Sequence, residues 1–216
     1  MTIQLHDFIE VEYTGKLTDG MVFDTTHEEV ARKAHLPTEN KKFGSLIICV
    51  GEQQILPGLD QQLAGKEIGK EFTINLQPED AFGKRDIKKM RIVPANTFSE
   101  HKMNPYPGLQ INVDGELGTV MRVSGGRIIV NFNHPLSGKP VIYHVKILRK
   151  ITDTKEQLMA FINISLHIPV DKIKVAVVES KAVIQLPIQL PAQLVEILAK
   201  KLSELTKVDV MFGTQT

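Results

Sequence analysis

VEYTGKLTDGMVFDTT at residues 11–26 and QQILPGLDQQLAGKEIGKEFTINLQPEDAFG at 53–83 decide the fold, and YHVKILRKI at 143–151 answers them far downstream. Strand signals dominate all three. Phe8–Tyr13 sets Phe8, Val11 and Tyr13 among polar or charged residues, and Thr14-Gly15 ends or bends that strand. Thr18-Asp19-Gly20 reads as a hairpin turn, since Asp-Gly supplies the positive φ of two-residue turns. Met21–Asp24 is the returning strand. Leu46–Val50 is a continuous apolar run, the pattern of a strand buried on both faces. Leu56-Pro57-Gly58 turns into a short helix over 59–63. Lys70–Leu76 alternates, with Phe72, Ile74 and Leu76 on one face, and Val141–Ile151 is a long alternating strand. Together these pieces form one small antiparallel sheet domain, split open to admit a guest.

Working outward, 216 residues suit one to two domains, or three small ones. Apolar residues at 42% and charged residues at 24% fit a soluble globular chain. Lys and Arg number 26 against 25 Asp and Glu, so no general field draws nucleic acid to the surface. Cys49 is the single cysteine, which excludes an intramolecular disulfide and a cysteine-based zinc site. Of the seven histidines, His27, His35, His101, His134, His144 and His167 are scattered, no HxH or HxxxH spacing occurs, and no metal or other cofactor is expected. The first residues lack a basic start and a long apolar run, and no stretch approaches membrane-spanning length. A cytoplasmic protein with no membrane partner is expected.

The guest occupies 87–131. Met90–Val93, Leu109–Val113, Leu117–Val123 and Arg127–Phe132 read as strands of a small all-β unit, too small for much core of its own. Residues 27–44 read as polar and irregular. After Ile151 the style changes. Asp153 caps a helix with Glu156 three residues on, and Leu158, Phe161, Ile162 and Ser165 form its inner stripe. Two strands follow, then a helix opened by Pro191 at its first position, then a strand at Val208–Phe212. The order α-β-β-α-β gives a separate α+β module over 152–216. Its Lys200-Lys201 pair reads as a solvated helix face. A KH-like RNA module needs a GxxG loop between helices, and none is present, so nucleic acid is not an expected partner.

Several of these residues, taken in order, resemble the FKBP-type prolyl isomerases, and in particular the SlyD-like members. Tyr13 in VEYTGKL, Phe23-Asp24 in VFDTT, Leu46 and Ile48, Ile55-Leu56-Pro57-Gly58-Leu59, Ala81-Phe82-Gly83 and Tyr143 are similar to the family's pocket residues in order and spacing. The resemblance implies a half-barrel of antiparallel strands with a short helix, formed by residues 1–86 and 132–151. It further implies an insert-in-flap domain at 87–131, where VPANTF at 93–98 and NHPLSG at 133–138 resemble the SlyD type. The 152–216 tail resembles that of the long archaeal members. The fold class is therefore α+β. The implied pocket residues are Tyr13, Phe23, Asp24, Leu46, Ile48, Ile55, Leu56, Leu59, Phe82 and Tyr143, with the backbone N–H of Leu56 holding a substrate carbonyl. Two positions depart from the family pattern: Leu59 stands where minimal members carry a tryptophan, and Phe82 where a tyrosine is usual. SlyD's metal-binding tail is absent, so its nickel role does not carry over.

The chemistry so implied needs no nucleophile or metal. Amide resonance sets a barrier of ~18–20 kcal/mol to rotation of a prolyl bond. A twisted amide is less polar than a planar one, so a dry apolar pocket favours the transition state over the ground state. Met90, Ile92, Phe98, Met103, Tyr106, Leu109 and Met121 are the candidate substrate contacts of the insert, although at least half of them are expected in its own core. Unfolded or nascent polypeptides are the expected partners. The rival expectation is a holdase chaperone with little or no isomerase activity, motivated by Phe82. The tail, with its apolar helices and edge strand, is the candidate surface for a homodimer.

Overall fold

The computed structural model describes residues 2–39, 41–100, 102–113 and 115–213; His101 lies outside them. In chain order the elements are β1 (Phe8–Leu17), β2 (Val22–Thr25), α1 (Glu28–Lys33), β3 (Leu46–Cys49), α2 (Pro57–Leu63), β4 (Glu71–Leu76), β5 (Met90–Pro94), α3 (Ala95–Glu100), β6 (Gln110–Val113), β7 (Glu116–Ser124), β8 (Arg127–Asn131), β9 (Val141–Lys150), α4 (Thr154–Leu166), β10 (Lys174–Val178), β11 (Lys181–Gln185), α5 (Ala192–Thr206) and β12 (Asp209–Phe212). The chain is mixed α+β and divides into two compact units, Met1–Leu76 with Pro140–Thr216, and Gln77–Lys139.

The first unit is built on an antiparallel sheet in the order β2-β1-β9-β4, with β3 also paired to β1. β1 is long enough to serve two partners on one edge. Its residues 8–11 pair with β3 and its residues 14–16 with β2, while β9 runs along the other edge. Of the two sequence readings at Gly15, an end or a bend, the end does not occur, because β9 pairs β1 from Ile9 to Leu17, while the pairing with β2 is irregular there. On β9 the alternate residues Val141, Tyr143, Val145 and Ile147 are all buried, the period-two signature of one covered face.

Period two also explains the tail. On β3, Leu46 and Ile48 point to one face and Ile47 and Cys49 to the other. Ile47, Cys49 and the facing Phe8 enter one apolar cluster with Leu158, Phe161 and Ile162 of α4 and Leu198 and Leu202 of α5. The Phe8 and Phe161 rings lie 6.5 Å apart. The last segment thus shares its core with the sheet rather than forming one alone. Each fully buried Leu in that cluster contributes about 1.5–3 kcal/mol. Asp153 accepts the Glu156 N–H at 2.7 Å as an N-cap should. Glu156 does not return the bond; its carboxylate meets Arg149 at 2.6 Å, and Arg149 also reaches Glu10 at 2.5 Å. Ser165, expected on the inner stripe of α4, is exposed. Pro191 stands at the N-cap of α5, one residue before the expected position. The tail sheet runs β10-β11-β12, with β12 parallel to β11 and on the edge.

The second unit holds a four-stranded antiparallel sheet in the order β5-β8-β7-β6. Its core comprises Phe98, Ile111, Val120, Ile128, Val130 and Phe132. Gly118 lets Val130 and Phe132 close over the sheet, since a Cβ there would meet them at 2.6 and 2.7 Å. The sheet carries one helix, α3, in addition to the strands read from sequence. Both α3 and α1 are six residues long, too short to display a 3.6-residue period.

Candidate active site

Three aromatic rings and one carboxylate of the first unit converge above Gly15. Gly15 pairs with Tyr143 on β9 and with Asp24 on β2. Residues directly opposite in an antiparallel pair share a face, and Tyr13, two residues along β1, shares it too. The Tyr13 and Tyr143 rings meet edge-on with centroids 5.7 Å apart, and Phe23 meets Tyr143 edge-on at the same separation.

Phe23 and Asp24 are consecutive, so in a regular strand they would point to opposite faces. The register shifts between Gly15 and Lys16, whose partners are Asp24 and Val22, and this leaves Phe23 as the extra residue of a bulge. The bulge swings the Phe23 ring to the side that Asp24 already faces, a common use of bulges. Gly15 completes the arrangement. A Cβ there would lie 2.8 Å from Phe23 Cζ and 2.9 Å from Tyr143 Cε1, closer than real Cβ contacts come. From sequence Gly15 reads as the end or a bend of a strand; its role as the floor beneath two rings appears only in three dimensions.

The polar part is a short chain. The Tyr13 hydroxyl donates to Asp24 Oδ2 at 3.1 Å, and Lys41 Nζ holds Asp24 Oδ1 at 3.1 Å. Burial, and then the Asp24 charge, raise the Tyr13 phenol well above the ordinary value, so it stays a protonated donor. Burial raises Tyr143 likewise, with Asp24 and Tyr13 adding to the effect. No sequence pattern links Lys41 to Asp24, because the loop of 37–44 that carries it has no regular period.

The aliphatic candidates arrive on two elements. Leu46 and Ile48 lie opposite Val11 and Ile9, hence on the Tyr13 face; Ile48 is fully buried and Leu46 half-buried. Ile55 and Leu56 are half-buried, and Leu56 is the N-cap of α2. As an N-cap its N–H precedes the helix ladder. Leu59, one turn on, is buried against the sheet side of α2, which packs on β4.

Phe82 belongs to the other unit. Its ring stacks on His134, with centroids 4.7 Å apart and planes 4° from parallel, and Ser137 Oγ donates to its carbonyl at 3.0 Å. His134 and Ser137 belong to the NHPLSG stretch. The neck of the insert is clamped by Asn133, which accepts from Asp86 N at 2.8 Å and donates to Asp86 O at 2.9 Å. Of the seven candidate contacts in the insert, Phe98 is core and Leu109 packs against it. Met90, Ile92, Met103, Tyr106 and Met121 are exposed, by 36% to 62%. Fewer than half of the seven are therefore internal, because β-branched residues of β6, β7 and β8 (Ile111, Val120, Ile128 and Val130) supply most of the core.

Comparison with known proteins agrees with this geometry. Residues 1–99 match the FKBP-type peptidyl-prolyl cis-trans isomerase family, and residues 91–136 match the FKBP26 IF domain. A short-type peptidyl-prolyl cis-trans isomerase of Methanocaldococcus jannaschii is 28% identical over 145 residues, 67% of this chain and 92% of the relative. A probable FKBP-type 16 kDa peptidyl-prolyl cis-trans isomerase of Pseudomonas fluorescens is 32% identical over 104 residues, 46% of this chain and 68% of the relative. The SlyD isomerase of Vibrio cholerae is 27% identical over 112 residues, 50% of this chain and 55% of the relative. With the aromatic cluster over Gly15, the α2 N-terminus and the inserted sheet unit all in place, the chain belongs to the FKBP-type peptidyl-prolyl cis-trans isomerases.

Proposed function

We propose that the protein turns prolyl peptide bonds in unfolded or nascent polypeptides and shields their apolar segments while doing so. The observation that carries the isomerase half is the edge-on cluster of Tyr13, Phe23 and Tyr143, whose single carboxylate is already occupied by a phenol and an ammonium. Such a surface offers little to a planar, polar amide and disfavours a twisted one less. In this reading Leu46 and Ile55 supply apolar wall, the buried Ile48 and Leu59 back it from the core, and the Leu56 N–H holds the carbonyl that flanks the proline. Phe82 lies in the other unit and carries no hydroxyl to donate.

The exposed Met90, Ile92, Met103, Tyr106 and Met121 support the chaperone half, since flexible thioethers adapt to unlike sequences. A segment held by the insert is tethered to the same chain as the pocket, which raises its local concentration there. The test is refolding of a protein limited by proline isomerisation, with the intact chain and with residues 87–131 replaced by a short linker. Tetrapeptide turnover should persist without the insert, while acceleration of the refolding protein should fall. If only aggregation suppression is found, and it vanishes with the insert, the holdase reading replaces this one.

Two subsidiary proposals concern the tail and the place of action. Among the described residues, β12 is an edge strand bearing the exposed Met211, and a groove of about 690 Å³ lined by Leu186, Ile188, Val195 and Phe212 lies beside it. We assign this region to homodimer formation, which sedimentation of the full chain tests. Among the described residues no helix is long and apolar enough to cross a membrane. Cytoplasmic action is part of the proposal, and fractionation tests it.

A further inference from the structure

The loop between β3 and α2 delivers Ile55 and Leu56 to the pocket, and it is held from two sides. On one side Asp60 of α2, 1% exposed, accepts Gly51 N at 2.9 Å and Gln53 N at 2.8 Å. Gly51 and Gln53 both have positive φ, +90° and 53°. A non-glycine residue keeps that conformation only where its surroundings impose it. Between them Glu52 faces the other way. Its side chain is 8% exposed, and it accepts from His6 Nδ1 at 3.1 Å and from Lys201 Nζ at 2.7 Å. Lys201 belongs to α5 of the tail, where the neighbouring Leu198 and Leu202 are locked into the shared core. From sequence, Lys200-Lys201 reads as a solvated face; Lys200 is exposed, but Lys201 reaches inward to a nearly buried carboxylate.

Resting on the isomerase reading above, we propose that Lys201 is a positioning residue for the pocket, through which the C-terminal segment fixes the 50–56 loop. An apolar core already attaches the tail, and an ion pair with one open partner, the Lys201 side chain at 40% exposure against 8% for Glu52, adds little stability of its own. What the pair adds is register: it admits one placement of Glu52, hence one conformation of the strained turn on either side of it. Asp60 and Lys201 then grip alternate residues of a single loop, so that Leu56 enters α2 at a set height. The tail so becomes part of the catalytic apparatus without touching substrate.

The test uses the full chain carrying Lys201→Met, with Lys201→Arg as the conservative control. Three quantities are read for each: kcat and KM on a proline tetrapeptide, amide hydrogen exchange across Gly51–Gln54, and thermal unfolding. Lys201→Met should lower kcat/KM by about 3- to 10-fold, because a small misplacement of positioning groups is costly. It should also speed exchange at Gly51–Gln54 while leaving the β1 and β9 amides protected, and Lys201→Arg should restore both. Turnover within twofold of the parent, or exchange raised uniformly and not rescued by Arg, overturns the proposal. Should Lys201→Met not fold, Glu52→Gln, which removes the carboxylate of the pair, takes the same measurements. If the parent chain itself fails to turn over the tetrapeptide, the isomerase reading falls, and the exchange data still decide whether Lys201 holds the loop.

Discussion

Substituting Gly15 by alanine separates the pocket from the fold. The backbone at Gly15 is ordinary extended strand, so alanine carries no conformational penalty and gains up to about 1 kcal/mol from a less mobile unfolded chain. The added methyl would sit 2.8 Å from Phe23 Cζ and 2.9 Å from Tyr143 Cε1. Relaxed carbon contacts lie at about 3.5–4.0 Å, so each ring must withdraw by about 0.6–1.2 Å. Edge-on ring pairs contribute about 0.5–1.5 kcal/mol each, and shifting two of them cancels the backbone gain. Net stability should therefore change by less than about 1 kcal/mol, a shift of a few degrees in Tm. Turnover should not be spared, since a displacement of this size at reacting geometry costs up to ~10²-fold. The assay is tetrapeptide isomerisation at substrate concentrations on both sides of KM, beside a melting curve of the same preparation. Turnover within twofold of the parent at an unchanged Tm would refute the claim that these rings form the working surface.

Other consequences are open to simpler measurements. Tyr13→Phe removes the donor to Asp24, a hydrogen bond to a charged acceptor, and should cost about 1.5–3 kcal/mol in stability as read by denaturant midpoint. At high pH, Tyr13 and Tyr143 have folded values raised above 10.0 by burial and by Asp24. Their contribution is complete below about pH 10 and is lost as pH rises through the folded values, so alkaline unfolding should coincide with tyrosinate absorbance. The Cys49 thiol is pushed up to about 12, first by burial and then by Glu52, and should resist thiol reagents at pH 8 until the chain unfolds. Leu158→Ala, in the shared core of tail and sheet, should destabilise by about 2–5 kcal/mol and hasten labelling of Cys49.

The sheet was legible because its signals are local. Asp19-Gly20 marks a hairpin, the alternation of 141–147 marks a strand covered on one face, and Asp153 with Glu156 marks a helix start. The shared core was hidden in plain sight. Leu46–Val50 reads correctly as buried on both faces, but nothing in LIICV says that α4 covers one of them. The bulge that aligns Phe23 with Asp24 leaves no mark in VFDTT, since it depends on how that strand pairs with Gly15 and Lys16. Lys41 and Lys201 escape for the same reason: each meets its carboxylate across a gap in sequence that no periodicity spans. Phe98 reads from sequence as either core or exposed surface of the insert; α3, too short to announce itself, turns it inward.

The most direct measurement is the slow phase of a protein whose refolding waits on a prolyl bond, followed with increasing amounts of the full chain. The rate of that phase should rise in proportion to added protein at micromolar concentrations, and Gly15→Ala should abolish most of the rise. A slow phase that keeps its rate while its yield improves would contradict catalysis and leave only protection from aggregation.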